Sequence, residues 1–292
     1  MAYTSQEPVF FNISISDGNL DLPLSTGFQG QITIGNQPFM HSIGTFNTFL
    51  GTNAAGNFTV TGAGNCGIGN VSMQQLTTGG NNSGLGYNSL TSLTTGASNV
   101  AIGAAVLGGL LTGNNNIGIG ASITNGAAGH VYTSSESSNI VIGNVGVLGE
   151  SGVIRIGDVN QTKCFIAGIF GVTVGVSGTP VVVDNAGNLG TVVSSRRLKE
   201  NIKYLSNTSS VLNLKPVSFH YKSDESKTNH FGLIAEEVHE SMPELVSYDH
   251  NNQPFSVQYH ELPVLLLNEI KKLHAQVSTL EIAVKTLKER LL

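Results

Sequence analysis

A five-residue motif that returns at a fixed interval constrains this chain more than any other feature. Asn65-Cys66-Gly67-Ile68-Gly69 recurs as Asn82-Ser83-Gly84-Leu85-Gly86, as Asn99-Val100-Ala101-Ile102-Gly103 and as Asn116-Ile117-Gly118-Ile119-Gly120. The copies start at 65, 82, 99 and 116, a constant step of 17 residues. Outlying copies begin at Asn47, 18 residues earlier, and at Asn139, 23 residues later, and Val153-Ile154-Arg155-Ile156-Gly157 is a degenerate last one. A second marker keeps step: Thr61-Gly62, Thr78-Gly79, Thr95-Gly96 and Thr112-Gly113. One strand-length motif per short, fixed period is the mark of a solenoid, because a single unit cannot bury its apolar residues and must stack on its neighbours.

The expected fold is therefore mainly β: a Gly/Asn-rich β-solenoid (a β-roll) of ~17-residue repeats over 45–160. The second and fourth motif positions share a strand face, because strand side chains alternate. The pairs Cys66/Ile68, Ser83/Leu85, Val100/Ile102, Ile117/Ile119 and Ile140/Ile142 should stack as an apolar ladder. Cys66 is expected as a buried, inert thiol in that ladder. The closing glycine suits a sharp corner with positive φ, and stacked asparagines should bond the loops between coils. From Asn47-Thr48-Phe49-Leu50-Gly51 onward the repeat resembles the head modules of trimeric bacterial surface adhesins and of phage or viral fibres. That resemblance implies a roll that associates as a trimer.

The flanks read differently. Residues 1–44 are expected to be a cap or attachment segment. Phe11 to Ser16 and Gln31-Ile32-Thr33-Ile34-Gly35 carry strand alternation, with Asp17-Gly18 as a turn. Residues 161–193 form a connector, in which Val181-Val182-Val183 and Leu189 to Val193 flank a loop and predict a β-hairpin leading into Ser194. From Ser194 the chain acquires ordinary charged segments. Val217, Phe219 and Tyr221 lie on one strand face, Phe231 to Val238 should open a helix that Pro243 helps to end, and a long amphipathic helix is expected from Leu262. Its heptads place Ile270, Val277, Val284 and Leu291 at a, with Leu266, Leu273, Leu280 and Leu287 at d. This is a coiled-coil seam over 262–292, and its residue choice by itself favours two strands.

Ser194-Ser195-Arg196-Arg197-Leu198-Lys199-Glu200-Asn201-Ile202 resembles the opening of the peptidase S74 domain. That domain is the intramolecular chaperone of endosialidase-type phage tail spikes and fibres, and it also occurs in myelin regulatory factor. Leu214-Lys215-Pro216-Val217, Gly232-Leu233-Ile234-Ala235-Glu236-Glu237-Val238, Tyr259 and Ile270-Lys271-Lys272-Leu273 continue the likeness in order, so it covers nearly all of 194–292. The resemblance implies a module that trimerises the preceding fibre and then cuts itself off between Val193 and Ser194. Ser194 would be the nucleophile and Lys199 the base, in a single-turnover serine endopeptidase. The family usually carries Asp after the serine, and this chain has Ser195. By spacing alone, Ser194 reads as a linker or N-cap serine and Lys199 as a solvated helix residue, since both residue types are common. The alternative function is a structural fibre or adhesin whose assembly module stays attached.

Several classes are disfavoured. Charged residues make up 11% of the chain against 40% apolar, which is not the composition of a disordered protein. A net charge of −5 argues against nucleic-acid binding. No apolar run is long enough for membrane insertion, and Met1 to Glu7 show no Sec-type leader. The fibre resemblance implies a virion fibre or a cell-surface location, with a receptor or glycan as partner besides other copies of the chain. Two cysteines, Cys66 and Cys164, provide no disulfide framework. The eight histidines lack metal-ligand spacing, and Gly67-Ile68-Gly69 is a repeated turn without a following helix, so no metal or other cofactor is expected. A polysaccharide-cleaving enzyme needs a carboxylate pair, and 45–149 contains only Glu136.

Overall fold

A computed structural model describes residues 22–25, 29–120, 126–175 and 178–291. The strand expected over Phe11 to Ser16 and the turn at Asp17-Gly18 lie outside them. The chain divides into two compact units, Met1–Ala167 and Gly168–Leu292.

The first unit opens with a hairpin of β1 (Ile32–Ile34) and β2 (Gln37–His41). Gly35 and Asn36 both take positive φ, 57° and 61°, as the two-residue turns that match strand twist require. Strand β2 pairs antiparallel with β3 (Thr48–Leu50). Parallel coils follow: β4 (Cys66–Ile68), β5 (Ser83–Leu85), β6 (Val100–Ile102), β7 (Ile117–Ile119), β8 (Ile140–Ile142) and β9 (Ile154–Ile156). They lie in sequence order in one nine-stranded sheet. Each motif position pairs with its counterpart in the next coil, Cys66 with Ser83, Ser83 with Val100 and Val100 with Ile117. The solenoid expected from the 17-residue step is present, and the outlying copies at Asn47, Asn139 and Val153 supply its end strands.

The ladder of second and fourth positions forms, but it faces outward. Leu85 is 50% exposed, Ile102 41% and Ile156 73%, while the third position between them is buried in every coil from β3 to β8. Cys66 is accordingly half-buried, not fully enclosed. The reason is volume. The interior is filled from the loops by Met73, Leu76, Leu90, Leu93, Leu107 and Leu110, all fully buried. That leaves the strand room for Gly67, Gly84, Ala101 or Gly118. A Cβ on Gly118 would come within 2.6 Å of Val106 Cγ1, and one on Gly84 within 2.9 Å of the Ser72 and Ser89 hydroxyls. Met73, Leu90 and Leu107 even adopt left-handed φ of 52°, 50° and 50°. Bulky side chains rarely take that conformation, and here complete burial compensates for it.

The motif asparagines form a buried ladder. Nδ2 of Asn82, Asn99 and Asn116 each donates to Oδ1 of the preceding asparagine at 3.0 Å. The other amide hydrogens of Asn65, Asn82 and Asn99 go to the carbonyls of Gly79, Gly96 and Gly113 at 3.0, 2.9 and 2.8 Å. The Thr-Gly marker is thus the receiving end of the asparagine marker. Inside the roll no water is needed to satisfy these amides, which makes the polar seam favourable and specific to one register.

At the far edge, Arg155 takes the inward strand position that Val141 holds in the coil before. Its guanidinium pairs with Glu150 at 2.8 Å, and the Tyr132 hydroxyl donates to Glu150 at 2.6 Å. Burial alone would raise the Glu150 carboxyl, but Arg155, Tyr132 and the Val147 amide outweigh it and hold the group below its usual range. Burial, then Glu150, pushes the Tyr132 phenol up. A polar, paired layer closes the apolar interior where the coils end.

The second unit contains the hairpin β10 (Val181–Val183) and β11 (Leu189–Thr191). Next come β12 (Val217–Phe219) and β13 (His230–Gly232), paired antiparallel, then α1 (Ala235–Ser241). The pair β14 (Val246–Tyr248) and β15 (Pro254–Val257) leads into α2 (Leu262–Leu291). Contrary to the helix expected from Phe231, the chain there is strand through Gly232, because Phe231 pairs with Ser218 across β12. Helix α1 begins only after Ile234, and Pro243 starts a separate 3-10 turn beyond it. A small core gathers Val211, Val238, Met242, Leu245, Val246 and Val257. Among the described residues no helix is long and apolar enough to cross a membrane.

Candidate functional site

The β10–β11 hairpin is built on its loop. The Asp184 carboxylate accepts from the Ala186 and Asn188 amides and from Asn188 Nδ2, each at 2.9 Å. These bonds hold the exposed Asp184 carboxyl below its usual range, with Asn188 as the largest contributor. Strand β11 ends at Thr191. Val192 to Ser195 then continue as exposed chain into a 3-10 turn at Arg196–Leu198, which Leu198 N–H closes onto the Ser195 carbonyl at 3.0 Å. Ser195, not Ser194, occupies the N-cap position, and its side chain makes no capping bond. Ser194 therefore sits just outside the turn, with no capping duty.

Val193, Ser194 and Lys199 are all exposed, so the peptide bond and both side chains are accessible. Val193 is 52% exposed. Lys199 is the C-cap of the same turn, with extended φ and ψ of −129° and 143°. One 3-10 turn separates the two expected dyad members. Among the described residues no hydrogen bond joins Ser194 to Lys199, so the single chain sets them on either side of one turn without pairing them. The cations of Arg196 and Arg197 lie within that turn.

The other motif residues have structural partners. The Leu233 amide donates to the Tyr259 hydroxyl at 2.7 Å. A Cβ on Gly232 would stand 2.7 Å from that same oxygen, which explains a glycine at this point. His230 packs its ring on Phe219 and Tyr221, at centroid distances of 5.8 and 5.1 Å, as a half-buried aromatic neighbour. Helix α2 leaves its apolar stripe open: Ile270 is 60% exposed, Leu273 50% and Leu280 63%. Among the described residues no group of three or more His, Cys, Asp or Glu is placed to hold a metal.

Sequence reasoning did not find the cluster at Thr208, Asn268, Glu269 and Lys272. Its members lie 60 and 61 residues apart in two of its bonds. Such a separation leaves no local signal. The only hint in the sequence is Glu269 with Lys272, an i, i+3 pair on a helix.

These features define a class: a β-solenoid protein whose roll precedes a small α+β module with a long, apolar-striped helix. The module can be placed more closely. Residues 194–247 match the peptidase S74 family, described as the chaperone of endosialidase. No curated protein and no solved structure matches the chain.

Proposed function

We propose that the chain is a self-processing fibre protein that assembles as a homotrimer. In this reading 1–44 is an attachment or cap segment, 45–160 the solenoid, 161–193 a connector, and 194–292 an intramolecular chaperone with a terminal coiled coil. The module assembles the fibre and then severs the Val193–Ser194 bond. The observation that carries the reading is that the family match begins at Ser194 itself, the residue expected to attack.

The chemistry needs a base, because a serine hydroxyl is a weak nucleophile. A neutral Lys199 amine takes the Ser194 Oγ proton as Oγ adds to the Val193 carbonyl carbon. The tetrahedral adduct collapses with cleavage of the C–N bond, and the proton passes to the departing Ser194 nitrogen. Val193 is then held as an ester on Ser194. Water hydrolyses that ester, giving a Val193 carboxylate and a Ser194 with free hydroxyl and free amine. Lysine serves as a base only where its charged form is disfavoured, by burial or nearby cations. Arg196 and Arg197 supply cations, and neighbouring copies supply burial to a residue exposed in the single chain. Cleavage thus follows assembly.

Two exposed apolar faces support self-association: the solenoid ladder of Leu85, Ile102, Ile119 and Ile156, and the α2 stripe. Contiguous exposed apolar surfaces mark contact sites in soluble proteins. Virion or cell-surface placement and a receptor or glycan for the solenoid follow from the fibre reading. The presence of Ser195 where the family usually has Asp favours a second reading, in which the module remains attached and only assembles the fibre. The test is expression of the intact chain beside Ser194→Ala and Lys199→Ala, followed on denaturing gels. Self-processing predicts two fragments for the wild type and one uncut band for each variant. An uncut wild-type band after assembly selects the second reading.

A further inference from the structure

Among the described residues no side chain between Gly146 and Thr208 is buried. The segment that carries Ser194 and Lys199 therefore runs exposed until Thr208, which is 4% exposed. There it is tied to α2. The Thr208 hydroxyl donates to Glu269 Oε1 and accepts from Asn268 Nδ2 at 2.8 Å. Lys272 Nζ adds a bond to the same Glu269 oxygen at 2.7 Å. Lys272 and then Thr208 hold the Glu269 carboxyl below its usual range, so it accepts from both as an anion at neutral pH. The following 3-10 turn, Ser209–Asn213, inserts Val211 into the core beside Leu262 and Leu265.

The chemistry of the cluster is that of a register device. A carboxylate only 5% exposed is costly unless it is paired and hydrogen-bonded. An apolar contact would anchor the segment equally well. A hydroxyl that must donate on one side and accept on the other fixes one rotamer and one position along the helix. Glu269 also precedes Ile270 and Lys272 precedes Leu273, the first a and second d residues of the α2 stripe. Setting the register of that stripe against other copies sets Glu269, and through Thr208 it sets the origin of the segment leading back to Lys199.

We infer that the Thr208–Asn268–Glu269–Lys272 cluster is a positioning clamp that couples pairing of α2 to cleavage at Ser194. This rests on the self-processing reading above. Thr208 and Glu269 are positioning residues: neither acts on the scissile bond.

The intact chain is refolded from denaturant, and fraction assembled and fraction cleaved are followed together in time. Thr208→Val keeps the shape and removes the hydroxyl, and Glu269→Ala removes the acceptor. Both are expected to assemble as the wild type does and to cleave at least about tenfold more slowly, as loss of a positioning contact does. Thr208→Ser, which restores the hydroxyl, is expected to cleave near the wild-type rate. Val257→Ala loosens the same core without touching the clamp and is expected to cleave normally once assembled. The inference is overturned if Thr208→Val and Glu269→Ala cleave at the wild-type rate. It is overturned equally if their cleavage falls only in proportion to assembly, or if Val257→Ala slows cleavage as much. A wild type that assembles without cleaving removes the self-processing reading, and the inference with it.

Discussion

Replacing Asn99 by alanine should cost more than its exposed, polar-looking sequence context suggests. Asn99 is fully buried in the middle of the asparagine ladder. Its Nδ2 donates to Asn82 Oδ1 at 3.0 Å and to the Gly113 carbonyl at 2.8 Å. Its Oδ1 accepts from the backbone and side-chain amides of Asn116, each at 3.0 Å. Truncation leaves three groups without these partners: the Gly113 carbonyl, the Asn116 backbone N–H and one Asn116 side-chain N–H. Asn82 Oδ1 keeps the Asn99 backbone N–H. Each orphaned buried group costs about 1–3 kcal/mol, and a water entering the space recovers part of this. The expected loss is about 3–5 kcal/mol. Asn99→Asp should lose more still, because its second oxygen faces two acceptors, Asn82 Oδ1 and the Gly113 carbonyl. Asn114→Ala, whose partners are exposed, should stay within about 0.5 kcal/mol. Urea unfolding followed by circular dichroism at fixed chain concentration measures all three. A loss below about 1 kcal/mol for Asn99→Ala, or Asp tolerated better than Ala, would refute the ladder as a load on solenoid stability.

Three further perturbations test other parts of the account. Gly96→Ala would place a Cβ 2.3 Å from the Gly113 carbonyl oxygen and 2.7 Å from Leu93 Cδ1; it should lower stability by about 2–3 kcal/mol in the same unfolding assay. His41 is buried against Phe49 and Phe58, with one ring nitrogen on the Ala54 carbonyl at 2.8 Å, and burial lowers its pKa from 6.5. The folded state therefore favours the neutral ring: its contribution is complete above the unfolded pKa and is lost as pH falls from there through the folded one. The stability difference between wild type and His41→Gln should accordingly shrink from pH 8 to pH 5, and a difference that grows on acidification contradicts the argument. Ile102→Asp changes a side chain that is 41% exposed on the outward ladder. It should leave the secondary structure intact while reducing the assembled fraction in sedimentation, whereas Thr95→Asp, exposed beside Gly96, should assemble normally.

Much of the solenoid could be read from the sequence because its strands, corners and asparagines repeat with one period. Every copy from Asn47 to Val153 became a strand, and Gly69, Gly86 and Gly103 take the positive φ of 135°, 139° and 125° expected of corners. What alternation could not decide was which face is inside. Cys66 and Ile68 do share a face, but the interior belongs to a second row that keeps the same period in the loops, Met73, Leu90 and Leu107. Counting volume in both rows would have placed the strand glycines inward. The start of α1 is not legible in the sequence because Phe231 to Val238 joins a strand and a helix without an intervening break in hydrophobicity. The family motif proposes Ser194 and Lys199 because that signal is local, and in the structure the two flank one 3-10 turn. The Thr208–Glu269 contact depends on the folding of a distant helix against the segment, and no short window contains it.

The intact masses of the products formed after refolding distinguish self-processing from assembly alone. Self-processing predicts one fragment ending at Val193 with a free carboxylate and one beginning at Ser194 with a free amine, appearing together only after assembly. A chain that assembles and keeps its full mass, or one cut at any other bond, contradicts it.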